Sequence, residues 1–347
     1  MPWRVDLRSD TVTRPTPEMY AAMARAPLGD DVLGDDPTVR ELELMTADCL
    51  GHQDGLFVPS GTMGNQVALA VHTSPGDSAL FEEQAHMLYY EGGAPAVMAS
   101  VLAMSYPTRA GEVDTQEVER RVLERSQHTP GTTCICLENT HNRHGGSVTG
   151  PETMHELRIV AEKKGAAFHV DGARLWNAAV ALGVEPKDLA REAHSVSVCL
   201  SKGLGAPVGS VLVGDKPFIE EARFWRKRMG GGMRQSGLLA ACGIVGLDRN
   251  IDRLAEDHAR ARRLAESLAE IEGLRPVPPA TNIVIVETDS PADVWVETLS
   301  QKGVAAVPFG PHRVRFVTHY DIDDDAISFA IATCRAIVEE SLAVSRN

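Results

Sequence analysis

The chain contains the run Ser195-Val-Ser-Val-Cys-Leu-Ser-Lys202-Gly-Leu-Gly-Ala-Pro-Val-Gly209, from which the rest of its organisation can be worked out. The first part alternates apolar with small polar side chains, which predicts a buried β-strand that leads into Lys202. Burying an unpaired ammonium group is costly. Lys202 is therefore explained if its amine forms a Schiff base with a carbonyl cofactor, or if its side chain snorkels from the strand end into water.

The composition is that of an ordinary globular protein, with 347 residues of which 43% are hydrophobic and 24% charged. A formal net charge of −14 argues against nucleic acid or an anionic membrane surface as a partner. The first residues lack the apolar segment of a signal peptide, and the longest apolar stretch, near 176–184, is shorter than the roughly 20 residues of a membrane span. We therefore expect a cytoplasmic protein.

The six cysteines are not grouped with histidines in the spacing of a metal site. Cys134 and Cys136 flank Ile135 in an apolar run, so both side chains would lie on one face of a strand. The sequence therefore predicts reduced core cysteines and no bound metal.

Helical and strand patterns alternate between about residues 40 and 215, which predicts an α/β domain with a mainly parallel sheet. Strands are expected at 55–58, 78–81, 133–137, 166–170, 195–200 and 210–213, and helices at 61–72, 115–126 and 152–164. After Gly230-Gly-Gly232 the pattern becomes α+β, with strands expected at 282–287, 304–309 and 313–318. We expect an N-terminal segment at 1–15 that joins the active site and the small domain, a large domain at 16–249, and a small α+β C-terminal domain at 250–347.

A helix start is expected at Ser60-Gly61-Thr62, directly after a predicted strand. Free backbone N–H groups and the positive end of the helix dipole make such a turn suited to a phosphate. A plain serine or threonine N-cap is the alternative.

Asp171 closes another predicted strand in His169-Val-Asp-Gly-Ala-Arg174, so its carboxylate should face the ligand side of the sheet. A carboxylate there can hold a protonated pyridine nitrogen, which makes the ring an electron sink. An N-cap or a salt bridge to Arg174 is the alternative. Gly203, Gly205 and Gly209 do not have dinucleotide-fingerprint spacing, which disfavours NAD.

Eight motifs together resemble the L-threonine/L-allo-threonine aldolase family, in family order along nearly the whole chain. They are Asp6-Leu-Arg-Ser-Asp-Thr-Val-Thr13, Gly29-Asp-Asp-Val32 with Gly34 and Asp36-Pro37, Phe57-Val-Pro-Ser-Gly-Thr62, Leu137-Glu-Asn-Thr-His-Asn142, Asp171-Gly-Ala-Arg174, Ser201-Lys-Gly-Leu-Gly-Ala-Pro-Val-Gly209, Gly230-Gly-Gly-Met-Arg-Gln235 and Arg315-Phe-Val-Thr-His319. The resemblance implies a pyridoxal 5'-phosphate (PLP) enzyme of fold type I. Its large domain would have the aspartate-aminotransferase fold, with a mainly parallel seven-stranded sheet.

The resemblance implies that Lys202 forms the internal aldimine and that Asp171 pairs with the pyridine nitrogen. Arg174 would neutralise the cofactor phenolate or the substrate carboxylate. The remaining cofactor-binding residues implied are Gly61 and Thr62 at the phosphate, Lys227 and Arg234 as added positive charge partly across a subunit interface, and His86 stacked on the pyridine face.

Ser9 and Arg315 resemble the pair that binds the substrate carboxylate, for which an arginine fork is the expected geometry. A turn cap and an exposed strand charge are their respective alternatives. His128 matches a histidine that meets the substrate β-hydroxyl. His141 and Asn142 belong to a family motif, for which we expect a structural role.

The implied reaction is retro-aldol cleavage of a β-hydroxy-α-amino acid (threonine, allo-threonine or a phenylserine-like analogue) to glycine and an aldehyde, through a quinonoid intermediate. His86, His128 or a water is the base, and the sequence does not choose among them. The alternatives are β-elimination or racemisation on the same fold, or a non-catalytic relative.

One position departs from the family pattern. Leu33 stands where the family commonly has a tyrosine, which would leave room for a larger or more apolar aldehyde. The resemblance also implies a homo-oligomer with active sites at a dimer interface, expected to be a homotetramer, and a small amino acid as substrate.

Overall fold

The computed structural model describes residues 3–345, with the backbone alone for 341–345. These residues fall into two compact units. One is Pro15–Ile251, and the other joins the residues up to Arg14 to those from Asp252 onwards. Residues 1, 2, 346 and 347 of the expected domain ranges lie outside the described residues.

The strands and helices alternate through most of the unit Pro15–Ile251, and the part from Asp252 onwards begins with a helix that is followed by a mixture of short strands and helices. The strands are β1 (Val5–Asp6), β2 (Asp54–Val58), β3 (Ser78–Glu82), β4 (Leu102–Tyr106), β5 (Thr132–Glu138), β6 (Ala167–Gly172), β7 (Ser195–Cys199), β8 (Ser210–Gly214), β9 (Leu274–Pro276), β10 (Ile283–Thr288), β11 (Val304–Ala305), β12 (Val307–Gly310) and β13 (Arg313–Val317). The helices are α1 (Pro17–Arg25), α2 (Pro37–Leu50), α3 (Gly61–His72), α4 (His86–Tyr89), α5 (Ala94–Met98), α6 (Thr115–Arg121), α7 (Pro151–Lys164), α8 (Leu175–Leu182), α9 (Pro186–Ala190), α10 (Lys216–Arg228), α11 (Gly237–Arg249), α12 (Leu254–Ala269), α13 (Ala292–Gln301) and α14 (Asp324–Ser345).

A seven-stranded sheet in the order β2-β8-β7-β6-β5-β3-β4 forms the middle of the unit Pro15–Ile251. The neighbours from β7 to β4 are parallel, and β8 is antiparallel to both β7 and β2. Six of the seven strands therefore run in one direction and end at one edge, which confirms the predicted mainly parallel sheet.

Most strands of this sheet are buried along nearly their whole length, as is usual for parallel sheets that are covered on both faces. All five residues of β7 are buried, and so are those of β3 and β8. One apolar cluster joins β2 and β8 to helices α3 and α10, through Leu56, Val67, Leu212 and Ile219.

The connection from β7 to β8 holds Lys202 in a short closed loop. Leu200 N donates to Gly209 O at 3.1 Å, and Gly205 N donates to Lys202 O at 2.9 Å. Gly209 has a φ of +105°, and a Cβ atom there would overlap the ring of Phe57. Gly209 is thus required by the path of the loop.

Three elements differ from the sequence prediction. Helix α6 ends at Arg121 instead of 126, because Leu123 exchanges hydrogen bonds with Thr132: its N–H donates to Oγ1, and its carbonyl accepts from the Thr132 N–H. Strand β4 was not predicted, since it lies at the sheet edge and most of its side chains are exposed. The strand expected at 304–309 is two strands, of which β11 pairs with β1 and β12 pairs with β13.

The second unit has an antiparallel sheet in the order β12-β13-β10-β9 and a separate parallel pair of β1 with β11. Its core packs side chains of α12, such as Leu264 and Leu268, with Val284, Phe316 and Ile327. Among the helices of residues 3–345, none is long and apolar enough to cross a membrane.

Candidate functional site

Polar side chains gather where the parallel strands of the large sheet end. Glu82 ends β3, Glu138 ends β5, and Asp171 lies next to the end of β6, where it is paired in register with Glu138. Lys202 follows β7 by three residues, and Ser60 follows β2 by two. The carboxyl edge of a parallel sheet is where ligands bind in open α/β folds.

Asp171 is buried, with 2% of its surface exposed. Its Oδ1 accepts a hydrogen bond from Ala173 N at 3.1 Å, and its Oδ2 accepts one from Asn65 Nδ2 at 2.9 Å. Both donors are neutral, so these bonds orient the carboxylate without cancelling its charge. The N-cap alternative does not apply, because α8 has Arg174 in its N-cap position.

Asn65 holds two carboxylates with one amide group. Its Nδ2 also donates to Glu91 Oε1 at 2.9 Å, so the amide nitrogen must face Asp171 and Glu91. The oxygen Oδ1 then faces His169 Nε2 at 3.2 Å, which makes that ring nitrogen the donor.

The chain of donors continues beneath Asn65. With its proton on Nε2, His169 accepts at Nδ1 from the hydroxyl of Ser195 at 2.8 Å, and Ser195 Oγ in turn accepts from His72 Nε2 at 2.7 Å. Burial lowers the pKa of His169 to about 4. Burial and the neighbouring His169 lower the pKa of His72 to about 3. Both rings are therefore neutral at physiological pH, and the order of donors that positions Asp171 is fixed.

His86 begins the short helix α4 and is half-buried. Its backbone N–H donates to Glu138 Oε2 at 2.7 Å, and its Nδ1 donates to Glu91 Oε1 at 3.0 Å. Burial lowers the pKa of His86, but the Glu91 hydrogen bond and the charges of Asp171, Glu91 and Glu138 outweigh it, so the net shift is upward from 6.5. The carboxylates around His86 therefore favour the protonated form of its ring.

His86, Glu91 and Asp171 form one polar group, since one ligand atom of each lies within 4.8 Å of the others. Glu91 also accepts from Gln66, so its carboxylate is fully held. A bound cation or a protonated ring nitrogen would complement this group.

The first turn of α3 offers backbone donors at the same edge of the sheet. Ser60 Oγ accepts from Met63 N at 3.2 Å, so the serine does cap the helix. The amides of Gly61 and Thr62, as the first two of the helix, have no acceptor within it. The N-cap alternative and the phosphate prediction are therefore compatible.

Three predicted site residues lie apart from Asp171. Lys227 is exposed on α10, Arg234 forms an ion pair with Asp30 at 3.0 Å, and His128 is exposed in the loop before β5. Within residues 3–345, no hydrogen bond or ion pair joins any of the three to Asp171 or His86.

Ser9 and Arg315 belong to the other unit. Ser9 Oγ accepts from Thr11 N at 3.1 Å, as the alternative of a turn cap requires. Arg315 Nη2 donates to the carbonyl of Arg8 at 3.3 Å, so the guanidinium reaches the residue next to Ser9. These two substrate-binding candidates are neighbours within their unit.

The sequence did not single out Asn65, Glu91 or Glu138 as site residues. Glu138 lies in the motif Leu137–Asn142 that also contains His141, whereas Asn65 is three residues after Thr62 and Glu91 is five residues after His86. This closeness to residues that were singled out was the available signal.

The sequence matches the beta-eliminating lyase family over residues 6–291. The protein named low-specificity L-threonine aldolase 1 of Arabidopsis thaliana is 40% identical over 338 residues, covering 94% of this chain and 94% of that protein. The low specificity L-threonine aldolase of Escherichia coli strain K12 is 40% identical over 338 residues, covering 96% and 99%.

Solved structures share the fold. A threonine aldolase from Leishmania major superposes with a TM-score of 0.82 at 19% identity, covering 96% of this chain and 99% of that one. An aspartate aminotransferase mutant from Thermus thermophilus gives a TM-score of 0.73 at 17% identity, with 96% of each chain covered. These likenesses confirm the predicted aspartate-aminotransferase-like fold. From the sequence match and the two relatives, the chain belongs to the beta-eliminating lyase family and is an enzyme of its threonine aldolase group, as its motifs predicted.

Proposed function

We propose that this enzyme uses PLP to cleave a β-hydroxy-α-amino acid, such as threonine, allo-threonine or a phenylserine-like analogue, into glycine and an aldehyde. The observation that carries the proposal is the buried carboxylate of Asp171, held by neutral donors at the strand edge that also precedes Lys202. The names of the two curated relatives support the same reaction.

The residues at this edge fit PLP. A carboxylate with neutral partners complements a protonated pyridine nitrogen, and the first amides of α3 complement a phosphate. Lys202 would hold the cofactor through its amine, Gly61 and Thr62 would hold the phosphate, and Arg174 would face a cofactor or substrate oxygen. When bound, PLP supplies a carbonyl carbon that takes up amines and a ring that accepts electrons.

The chain's own residues then orient the substrate and move its protons. The substrate carboxylate would be bound by Ser9, Arg174 and Arg315. An arginine can donate two parallel hydrogen bonds to a carboxylate, which would fix its orientation. His86, whose Nδ1 is held by Glu91 at 3.0 Å, is one candidate to take the β-hydroxyl proton. His128 and a water are the other candidates, and Lys227 and Arg234 add positive charge near the phosphate.

The choice of aldehyde is proposed to depend on Leu33. This side chain is 76% exposed and lines a cavity of about 570 Å³ together with Phe224, Lys227 and Gly232. A leucine offers no hydroxyl group there, so a larger or more apolar aldehyde would be accommodated.

The enzyme is proposed to act as a homotetramer in the cytoplasm, with a small amino acid as substrate and without nucleic-acid or membrane partners. The large exposed apolar side chains of Leu33 and Phe224, at a cavity whose other lining residues are mostly charged, support association of subunits, because a contacting subunit would cover them. Its proposed domains are an N-terminal segment at 1–15, a large domain at 16–249 and a small domain at 250–347.

The test is to incubate PLP-loaded protein with L-threonine, L-allo-threonine and phenylserine and to measure aldehyde and glycine. Lys202→Ala should lower turnover at least about 1,000-fold, as loss of a covalent catalytic group does. Lys216→Ala is the matched control, because Lys216 is an exposed lysine at the start of α10.

Release of a keto acid and ammonia from any of the substrates, without aldehyde, would favour β-elimination instead. Equal turnover by Lys202→Ala and the wild type would refute the assignment of the lysine. Absence of any turnover by the PLP-loaded wild type would favour the non-catalytic alternative.

A further inference from the structure

A second polar cluster lies at the strand edge, beside the group formed by His86, Glu91 and Asp171. It consists of Glu82, His141 and His144, and one ligand atom of each lies within 4.8 Å of the others. His141 Nε2 is 2.8 Å from Glu82 Oε2, and His144 Nε2 is 3.1 Å from Glu82 Oε1. The two imidazoles thus converge on the two oxygens of one carboxylate.

The topology of the sheet places this cluster in a crevice. Strands β3 and β5 are neighbours, but the chain steps from β3 outwards to β4 and from β5 the opposite way to β6. The loops that follow two such strands separate, and the crevice between them is the usual ligand position in open α/β sheets. Glu82 ends β3, and the two histidines follow β5.

Neighbouring groups shape the cluster further. Thr108, which follows β4, donates to Glu82 Oε1 at 2.8 Å and lies 3.2 Å from His144 Nε2. Glu138 Oε2 is 3.8 Å from His141 Nε2. Glu82 and Glu138 are buried, with side chains 1% and 5% exposed, so their two negative charges need positive charge nearby.

We propose that Glu82, His141 and His144 bind a divalent transition-metal ion of the zinc class. Two imidazoles and one carboxylate are a known ligand set for zinc. Ligand distances of about 2.0–2.1 Å put neighbouring ligand atoms of a tetrahedral ion about 3.3 Å apart. The observed distances of 2.8 and 3.1 Å join the two imidazoles to different oxygens of Glu82, so the carboxylate would face the ion with both oxygens, and each nitrogen–oxygen pair would open by a few tenths of an ångström. One divalent ion would balance the charges of Glu82 and Glu138.

The site would tie the end of β3 to the loop after β5, with Thr108 as an outer hydrogen-bond partner. It lies next to the group formed by His86, Glu91 and Asp171. Glu138 connects the two, because its Oε2 accepts from the backbone N–H of His86 and is 3.8 Å from His141 Nε2. The sequence had predicted no metal, since Glu82 is 59 residues before His141 and no short motif joins them.

The experiment uses PLP-loaded protein without a histidine tag, freed of metal by dialysis against a chelator. Titration with Co²⁺ should give one bound equivalent per chain with visible d–d absorption bands, and Zn²⁺ should displace it. Zn²⁺ should also raise the melting temperature of the wild-type protein, because a ligand of the folded state stabilises it.

His144→Gln should weaken Co²⁺ binding at least about 100-fold, since losing a ligand exceeds the loss of an outer partner. The side chain of His144 is only 12% exposed, so the folding of this variant is checked by circular dichroism. His155→Gln is the matched control: it removes a histidine that also contacts a carboxylate, Glu192 at 3.1 Å, but on the surface, and should bind Co²⁺ like the wild type.

Two results would overturn the proposal. One is a wild-type protein that binds less than one equivalent of Co²⁺ and whose melting temperature does not respond to Zn²⁺. The other is binding that survives in His144→Gln but is lost in His86→Gln, because the ion would then occupy the cluster of His86, Glu91 and Asp171.

Discussion

His169 acts on the carboxylate of Asp171 through Asn65, which forms a hydrogen bond with both residues. Its ring lies fully buried between Ser195 and Asn65, and Asn65 in turn holds Asp171. A proton added to His169 Nδ1 would meet the hydroxyl hydrogen of Ser195. The folded protein therefore resists protonation of this ring.

We predict that stability falls as the pH drops from 6.5 towards 4. The pKa of His169 is about 4 in the folded protein, owing to burial, and returns to 6.5 on unfolding. Between these values the unfolded chain binds a proton that the folded chain does not, so the stabilisation is complete above pH 6.5 and declines below it. The decline is about 1.4 kcal/mol per pH unit for this residue.

His169→Gln tests this prediction, because the glutamine amide can still donate to Asn65. The free energy of unfolding, measured in urea at pH values from 4 to 7, should depend less steeply on pH by about 1.4 kcal/mol per unit. His72 retains most of its own contribution in this variant, because burial is the largest cause of its lowered pKa and His169 only the second. An unchanged slope would contradict the prediction.

For single residues, the sequence predicts the charged side chains that follow or end strands. It does not predict the side chains that orient them through hydrogen bonds. Lys202 and Asp171 stand out because a charge ends an apolar run. Asn65 and Glu91 do not, because an amide inside a helix and a carboxylate in a loop are both common on protein surfaces. Asn65 holds Asp171, which is 106 residues away in the sequence, and Glu91 holds the ring of His86.

The element that carries Lys202 is a loop between adjacent antiparallel strands, β7 and β8, and not a strand-to-helix connection. Its course depends on Gly209, whose positive φ and closeness to Phe57 leave no space for a side chain. Steric overlap and backbone strain should therefore add in any substitution.

We predict that Gly209→Ala lowers the free energy of unfolding by about 2 kcal/mol more than Gly76→Ala. Gly76 also has a positive φ, +89°, but a Cβ atom there would meet nothing within 4 Å. The control therefore measures backbone strain alone, about 1–2 kcal/mol, and the difference measures overpacking. Urea unfolding of both variants gives the comparison, and equal losses would show that the ring of Phe57 moves aside freely.

Elements whose side chains alternate or repeat clearly were found from the sequence, such as α3 at 61–72. The failures have local physical causes. The periodicity predicted a helix from 115 to 126. Helix α6 ends earlier because Leu123 N donates a hydrogen bond to Thr132 Oγ1, nine residues further along the chain. Strand β4 lies at an edge, and its sequence, Leu102-Ala-Met-Ser-Tyr106, lacks the apolar–polar alternation that marks a half-buried strand.

For the whole molecule, the fold class followed from the alternation of helices and strands, and the resemblance supplied the strand number. The pairing of β2 with β8 could not be predicted, because no periodicity records which strands become neighbours. The exposed side chains of Leu33 and Phe224 allow a direct measurement of the assembly.

We predict that Phe224→Glu reduces the assembly to smaller species in sedimentation velocity. Phe224 is 64% exposed on α10 and lines the same cavity as Leu33, so a charge there would be buried by a contacting subunit. Val294→Glu is the control, since Val294 is also exposed and apolar but lies on α13 in the other unit. A wild-type protein that sediments as a monomer, or a Phe224→Glu tetramer, would contradict the prediction.

The pairing of β1 with β11 affects how this chain folds while it is being synthesised on the ribosome. Val5 pairs with Val304, so the strand made first waits for one made 299 residues later. At about 5–20 residues per second, that wait is about 15–60 s. Throughout it, the segment that carries Ser9 is without its partner strand, while the sheet around Lys202 has already been synthesised. Nascent chains arrested after Ile251 should therefore contain the complete lysine loop before Ser9 has a folded unit to join.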